Sequence, residues 1–256
     1  MCHAEADRLA ETAAETATTE MSIPVSTGEQ MPALLVTPAE SQEIGGGVVV
    51  IHDVYGSSPF YRQLSGLLAA EGYAVVLPDL FFRQGPIAEP TRELGRERRS
   101  RFDEVQALED LEAAIAAVVA AAGTIPSSVA TVGFCMGGTF AFDLAARRSD
   151  LSTVAYYGFP ATNDAPRLRP APAPLDIVAD ISGPILGLWG DQDHAVGMDS
   201  VENFDRALDA HSVEHEFVIY PGAGHGFMAA AESDDAARRA SEDAWPRTLT
   251  FLARHL

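Results

Sequence analysis

Cys135 is the residue in this chain best placed to act as a nucleophile. It lies at the centre of Gly133-Phe-Cys-Met-Gly137, a G-x-nucleophile-x-G pattern with cysteine where serine is usual. So sharp a turn strains the backbone at the nucleophile. It also brings the preceding strand and the following helix so close that a Cβ two residues to either side would collide, hence the glycines. Amides at the start of the following helix then point at the sulfur and favour thiolate over thiol. A base and an acid are available downstream. His225 stands in the glycine-rich stretch Pro221-Gly-Ala-Gly-His-Gly-Phe227. Asp191 and Asp193 share the earlier stretch Gly190-Asp-Gln-Asp-His194. The chain order nucleophile, acid, base is that of a triad carried on successive strand ends. Asp191 is nearer its strand and could bind turn amides, so both carboxylates remain open on spacing alone. His194 reads as structural or as part of the rim.

The flanking pattern supplies the elements needed to hold these groups. Short apolar, β-branched runs at 33–37, 48–51, 73–77, 129–132, 153–157, 185–189 and 216–220 read as strands. The run 48–51 is continuous enough to be a central parallel strand covered on both faces. Helical periodicity is expected over 59–71, 98–122, 139–148, 198–210 and from about 234 to 255, with 79–97 as a long loop. Five prolines between 160 and 176 make that stretch a semi-rigid surface loop. The alternation predicts an α/β domain, a mostly parallel sheet with helices on both faces, over 23–256. In such a sheet ligands bind beyond the carboxyl ends of the strands, where Cys135, the acid loop and His225 all fall. Residues 1–22 read as an acidic leader, either a frayed helix or disordered.

Composition narrows the partners. The 256 residues carry 17 arginines, no lysine and 37 acidic groups, for a formal charge of −20. Such a surface repels nucleic acid and anionic membranes, so neither is expected as a partner. Arg92, Arg96, Arg98, Arg99 and Arg101 form the only basic cluster, read as a solvated helix start. No apolar run reaches transmembrane length, and the N-terminus lacks the basic-then-apolar order of a signal peptide. The two cysteines, Cys2 and Cys135, make no disulfide framework, which points to a reducing cytosol. Cys2 and His3 are too few to argue for a metal site.

Over most of residues 30–256 the chain resembles the dienelactone hydrolase family, the thiol-bearing members of the α/β-hydrolase fold. The resemblance rests on Gly133-Phe-Cys-Met-Gly-Gly138, Pro78-Asp-Leu-Phe-Phe-Arg83 and Tyr156-Tyr-Gly158. It rests also on Gly190-Asp-Gln-Asp-His-Ala-Val196, Gly224-His-Gly-Phe227 and Arg247-Thr-Leu-Thr-Phe-Leu252. It implies Cys135 as nucleophile, His225 as base and Asp193 as the acid that orients it. It further implies oxyanion donors at the amides of Val54 and Met136, and substrate-binding roles for Arg83 and Tyr157. Two positions depart from the family pattern. Asp53 stands where the family has a glutamate that meets the resting thiol, one methylene shorter. Ala229 stands at the second of two arginines that hold a substrate carboxylate, removing a contact worth about 1.5–3 kcal/mol.

The expected reaction is hydrolysis of an enol lactone or activated small ester through a thioester, without metal or organic cofactor. A thiolate attacks readily but is itself a good leaving group, which favours activated esters over amides. Two other readings stand beside it: a small-ester hydrolase with no carboxylate preference, and a non-catalytic ligand-binding module that keeps the thiol. The protein is expected to act on a small molecule, as a monomer or weak homo-oligomer.

Overall fold

The computed structural model describes residues 15–162 and 166–256. The chain opens with a hairpin, β1 (Thr16–Pro24) and β2 (Gln30–Pro38), whose strands pair antiparallel. Then come β3 (Gly46–Ile51), α1 (Pro59–Ala70), β4 (Tyr73–Pro78), α2 (Arg92–Ser100), α3 (Glu104–Ala122) and β5 (Val129–Phe134). They are followed by α4 (Met136–Arg147), β6 (Leu151–Tyr156), β7 (Ile185–Gly190), α5 (Met198–Ala210) and β8 (His215–Tyr220). A single turn, α6 (Phe227–Ala230), and the long α7 (Asp235–His255) end the chain.

All eight strands form one sheet in the order β1-β2-β4-β3-β5-β6-β7-β8. Pairing is antiparallel through β1, β2 and β4, and parallel from β4 across to β8. This is the helix-covered, mostly parallel sheet that the alternation of elements predicts. Side chains alternate along β3 as a pleated strand requires. Val48 and Val50 join Phe60, Tyr61, Leu64 and Leu68 of α1 in one apolar cluster. Val49 and Ile51 join Leu108, Leu111, Ile115 and Val118 of α3 in another. Following the register across the sheet puts Tyr156 on the α1 face, where its hydroxyl meets Thr248 of α7 at 2.7 Å. Trp189 is on the other face with α4 and α5, where Phe142 packs on Phe204 at 5.0 Å between ring centres.

Two expectations about the elements are corrected. The leader does not extend to residue 22, because residues 16–22 belong to β1; residues 1–14 lie outside the described part. β1 is an edge strand whose side chains are mostly exposed, so it carries no apolar alternation to read. Nor does one helix run over 98–122. Residues 92–100 form α2, the chain breaks at 101–103, and α3 starts afresh with Asp103 accepting the Gln106 amide at 2.9 Å.

Candidate active site

Cys135 lies between β5 and α4 with φ 56° and ψ −115°, a left-handed conformation that L-residues rarely hold. The sterics of the turn explain it. A Cβ on Gly133 would fall 2.1 Å from the Gly137 carbonyl oxygen, and one on Gly137 would fall 2.1 Å from the Ile51 oxygen. The turn is pinned from outside as well: the Cys135 amide donates to the Tyr156 oxygen at 3.0 Å. Cys135 is buried, with 7% exposure where its neighbours Phe134 and Met136 have none, and it joins the apolar cluster on the α1 face. It caps the N-terminus of a twelve-residue helix, where the macrodipole favours negative charge.

The acid and base loops are built against each other. Gly190 ends β7, and a Cβ there would fall 2.0 Å from the Ala223 oxygen. The Gln192 amide donates to the same Ala223 oxygen at 2.9 Å, and the Asp191 amide to Tyr220 at 3.1 Å. Within this frame the two aspartates separate. Asp191 is exposed, and its Oδ1 accepts the Gly222 amide at 2.7 Å, tying loop to loop. Asp193 is buried. Its Oδ1 accepts the amides of Ala195 and Val196, both at 3.1 Å, and its Oδ2 lies 2.8 Å from His225 Nδ1. With Nδ1–H given to the carboxylate, the neutral imidazole presents Nε2 as its acceptor. The His225 ring rests edge-on against Tyr157 at 5.1 Å and beside Phe159 at 5.5 Å. Tyr157 directly follows the residue that receives the Cys135 amide. The imidazole therefore lies over the end of β6, on the elbow side of its own strand.

The third side is the loop after β3. The Asp53 amide donates to the Tyr61 hydroxyl at 3.1 Å, the Tyr55 amide to Asp53 Oδ1 at 2.8 Å, and the Gly56 amide to the Asp53 carbonyl at 3.2 Å. Among the described residues the Val54 amide, between them, has no acceptor. Met136 opens α4, so its amide has no intrahelical acceptor either. A thiol at the head of a helix, with a carboxylate-held imidazole on a neighbouring strand end, has the groups that acyl transfer needs.

Residues 31–256 match the family model described as the dienelactone hydrolase family. The chain belongs to that family. It is therefore a hydrolase of ester or lactone bonds on an α/β-hydrolase fold. A carboxymethylenebutenolidase of Rhodococcus opacus is 34% identical over 220 residues, covering 84% of each chain. A Klebsiella pneumoniae structure assigned to the dienelactone hydrolases superposes with a TM-score of 0.82 at 31% identity, covering 93% of this chain and 99% of its own. The dienelactone hydrolase-like phosphotriesterase P91 from metagenomic libraries shares the fold, with a TM-score of 0.74 at 19% identity.

Two of the residues expected to contact substrate are engaged within the protein itself. Arg83 is spent on ion pairs. Its Nε lies 2.6 Å from Glu29, its Nη1 2.5 Å from buried Asp110, and its Nη2 3.1 Å from Thr27 Oγ1. A guanidinium filled by two carboxylates and a hydroxyl has little left for a third anion. Tyr157 is fully buried, and its ring lies edge-on against the His225 ring. Ala229 lies on α6, four residues past His225. Asp53 is buried with Oδ1 closing the turn described above.

Sequence reasoning passed over His52 and Asp143 and misplaced two arginines. His52 is wholly buried, stacked on Phe81 at 5.5 Å. Its Nδ1 meets the Asp53 carbonyl at 2.8 Å and its Nε2 accepts the Leu80 amide at 3.1 Å. Burial holds its pKa below the ordinary value, so the ring is neutral and bridges two loops. Arg98 and Arg99, read as solvated, are instead packed inward: Arg98 over Phe81, Arg99 on buried Glu104 at 2.6 Å. Asp143 is buried with no hydrogen-bond partner on either oxygen among the described residues. Burial first and the charge of Glu104 second push its pKa well up. No group of three or more candidate metal ligands occurs among the described residues.

Proposed function

We propose that the enzyme is a thiol esterase that hydrolyses a lactone or activated small ester through Cys135, His225 and Asp193. The observation that carries the reading is the Asp193–His225 pair at 2.8 Å, which favours the tautomer in which Nε2 is the ring's proton acceptor. His225 Nε2 removes the Cys135 proton as Sγ attacks the carbonyl carbon. Charge gathers on the carbonyl oxygen beside the amides of Val54 and Met136. Collapse breaks the C–O bond, and His225 passes its proton to the departing alkoxide or enolate. Water, deprotonated by the same nitrogen, then splits the thioester to carboxylate and free thiol. Asp53 belongs to this reading as the carboxylate that modulates the resting thiol, acting through Oδ2.

The engagement of Arg83 by Asp110 and Glu29, together with Ala229, favours a substrate without an obligatory carboxylate. p-Nitrophenyl acetate should be turned over, and Cys135→Ala should abolish this. A carboxylated enol lactone and its methyl ester should show similar kcat/KM. A strong, Arg83-dependent preference for the free acid would restore the narrower substrate. The formal charge of −20 fits a small-molecule substrate, with neither nucleic acid nor membrane as partner. Among the described residues no helix is long and apolar enough to cross a bilayer. The Cys135 thiol, in no disulfide among the described residues, suits a reducing cytosol, where the enzyme acts as a monomer or weak homo-oligomer.

A further inference from the structure

The loop that carries Val54 is held from above by α2, a helix that takes no part in the triad. Two residues one turn apart make the contact. Gly95 faces the loop so closely that a Cβ would lie 3.3 Å from Val54 Cγ1 and 3.2 Å from Tyr55 Cε1. Glycine inside a helix weakens it, and a close approach of this kind is a physical reason for one here. Arg98, only 6% exposed, lies with its guanidinium 4.4 Å from the centre of the Phe81 ring. Its Nη1 reaches the Tyr55 carbonyl at 3.5 Å and its Nη2 donates to the Gly85 carbonyl. One side chain thus ties the loop after β3 to the loop after β4. His52 makes a parallel tie beneath it, through the same Phe81 ring. The loop's own hydrogen bonds use the amides of Asp53, Tyr55 and Gly56, and the Val54 amide between them has no acceptor among the described residues.

We propose that Arg98 and Gly95 are positioning residues, which fix the Val54 amide where the oxyanion forms and so set the rates of both acylation and deacylation, since each step passes through that oxyanion. The proposal rests on the functional reading above, since it needs an oxyanion beside Val54. The physical reason is one of distance: an electrostatic donor works only if it is in place before the charge develops, and displacements of about 1 Å cost on the order of a hundred-fold in rate. Lysine at position 98 keeps the positive charge but cannot span two carbonyls in a plane, so the loop regains freedom. Alanine at 95 must push Val54 and Tyr55 away by a few tenths of an ångström.

The test is steady-state hydrolysis of p-nitrophenyl acetate by the full chain, with thermal melting alongside, for Arg98→Lys, Gly95→Ala and Cys135→Ala. Arg98→Lys should lower kcat roughly ten- to a hundred-fold with KM little changed. Gly95→Ala should lower kcat several-fold even though helix propensity alone favours the alanine. A raised KM with unchanged kcat in Arg98→Lys would make Arg98 a substrate ligand and overturn the proposal. A lower melting temperature with kcat and KM both held would reduce α2 to a support of the fold, and would overturn it too. If Arg98→Lys does not fold, Gly95→Ala decides: normal kcat with a raised melting temperature sinks the idea. Activity surviving in Cys135→Ala would instead show that the nucleophile assignment had failed.

Discussion

Asp193→Asn is the change whose consequence follows most directly from the geometry. The Asp193 Oδ1 accepts two turn amides, and an amide NH2 placed there would leave both of those N–H groups facing a donor. That orientation would cost about 2–3 kcal/mol. The asparagine therefore keeps its carbonyl oxygen on Ala195 and Val196 and turns its NH2 toward His225 Nδ1. Nδ1 must then accept, which moves the ring proton to Nε2, the nitrogen that has to receive the thiol proton. The same exchange in serine-based triads costs about four decades in kcat. A thiol is more acidic than a hydroxyl and leans less on its base, so a loss of about three decades is expected here, equivalent to ~4 kcal/mol in barrier height. p-Nitrophenyl acetate hydrolysis measures it, with a melting curve to show that the fold survives. Asp191→Asn is the control: its oxygen can still accept the Gly222 amide, so activity should change little. If Asp193→Asn stays within ten-fold of wild type while folded, the tautomer argument is wrong.

The remaining expectations concern the frame. Gly137→Ala places a Cβ 2.1 Å from the Ile51 oxygen and should cost more than ~3 kcal/mol, read as loss of folded protein or a much lower denaturation midpoint; a stable, active variant would refute the elbow sterics. Burial holds His52 below its ordinary value of 6.5, so its contribution to stability is complete above that value and is lost as pH falls through the lowered one. Melting temperature should therefore drop more steeply on acidification in wild type than in His52→Gln, and parallel curves would count against the buried neutral ring. Asp143 has the opposite sign: its pKa is raised, so its contribution is complete below 3.8 and is lost as pH rises through the raised value. Asp143→Asn should accordingly gain on wild type in melting temperature toward mildly alkaline pH, and no change in the gap would mean that Asp143 is not ionising against burial.

What could be read in the chain and what could not divide along physical lines. The turn at Cys135 is local: the spacing of Gly133 and Gly137 encodes a collision between atoms four residues apart, so it is legible without coordinates. Strands such as β3 announce themselves because both faces are covered. β1 has neither face fully covered, and its TATTEMSIP sequence gives no pattern to recover. The run 98–122 looked like one helix because Phe102, Val105 and Leu108 keep helical spacing across the break. The missed cue was Asp103 three residues before Gln106, a start signal inside the apparent helix. The choice between Asp191 and Asp193 depends on which carboxylate oxygen the turn consumes, a matter of loop geometry. Arg83 shows the limit of carrying a role over by position. Its partner Asp110 lies 27 residues further on, on a helix that sequence spacing cannot orient toward it. Arg98 was missed for a related reason, since a run of arginines at a helix start gives no sign of which one turns inward.

Acid-quenched mass spectrometry during p-nitrophenyl acetate turnover tests the central assignment most directly. A single acetyl group on the peptide bearing Cys135, rising to a steady level in wild type and missing from Cys135→Ala along with turnover, is the predicted result. An acetyl group settling on another residue, or turnover undiminished without the sulfur, would contradict it.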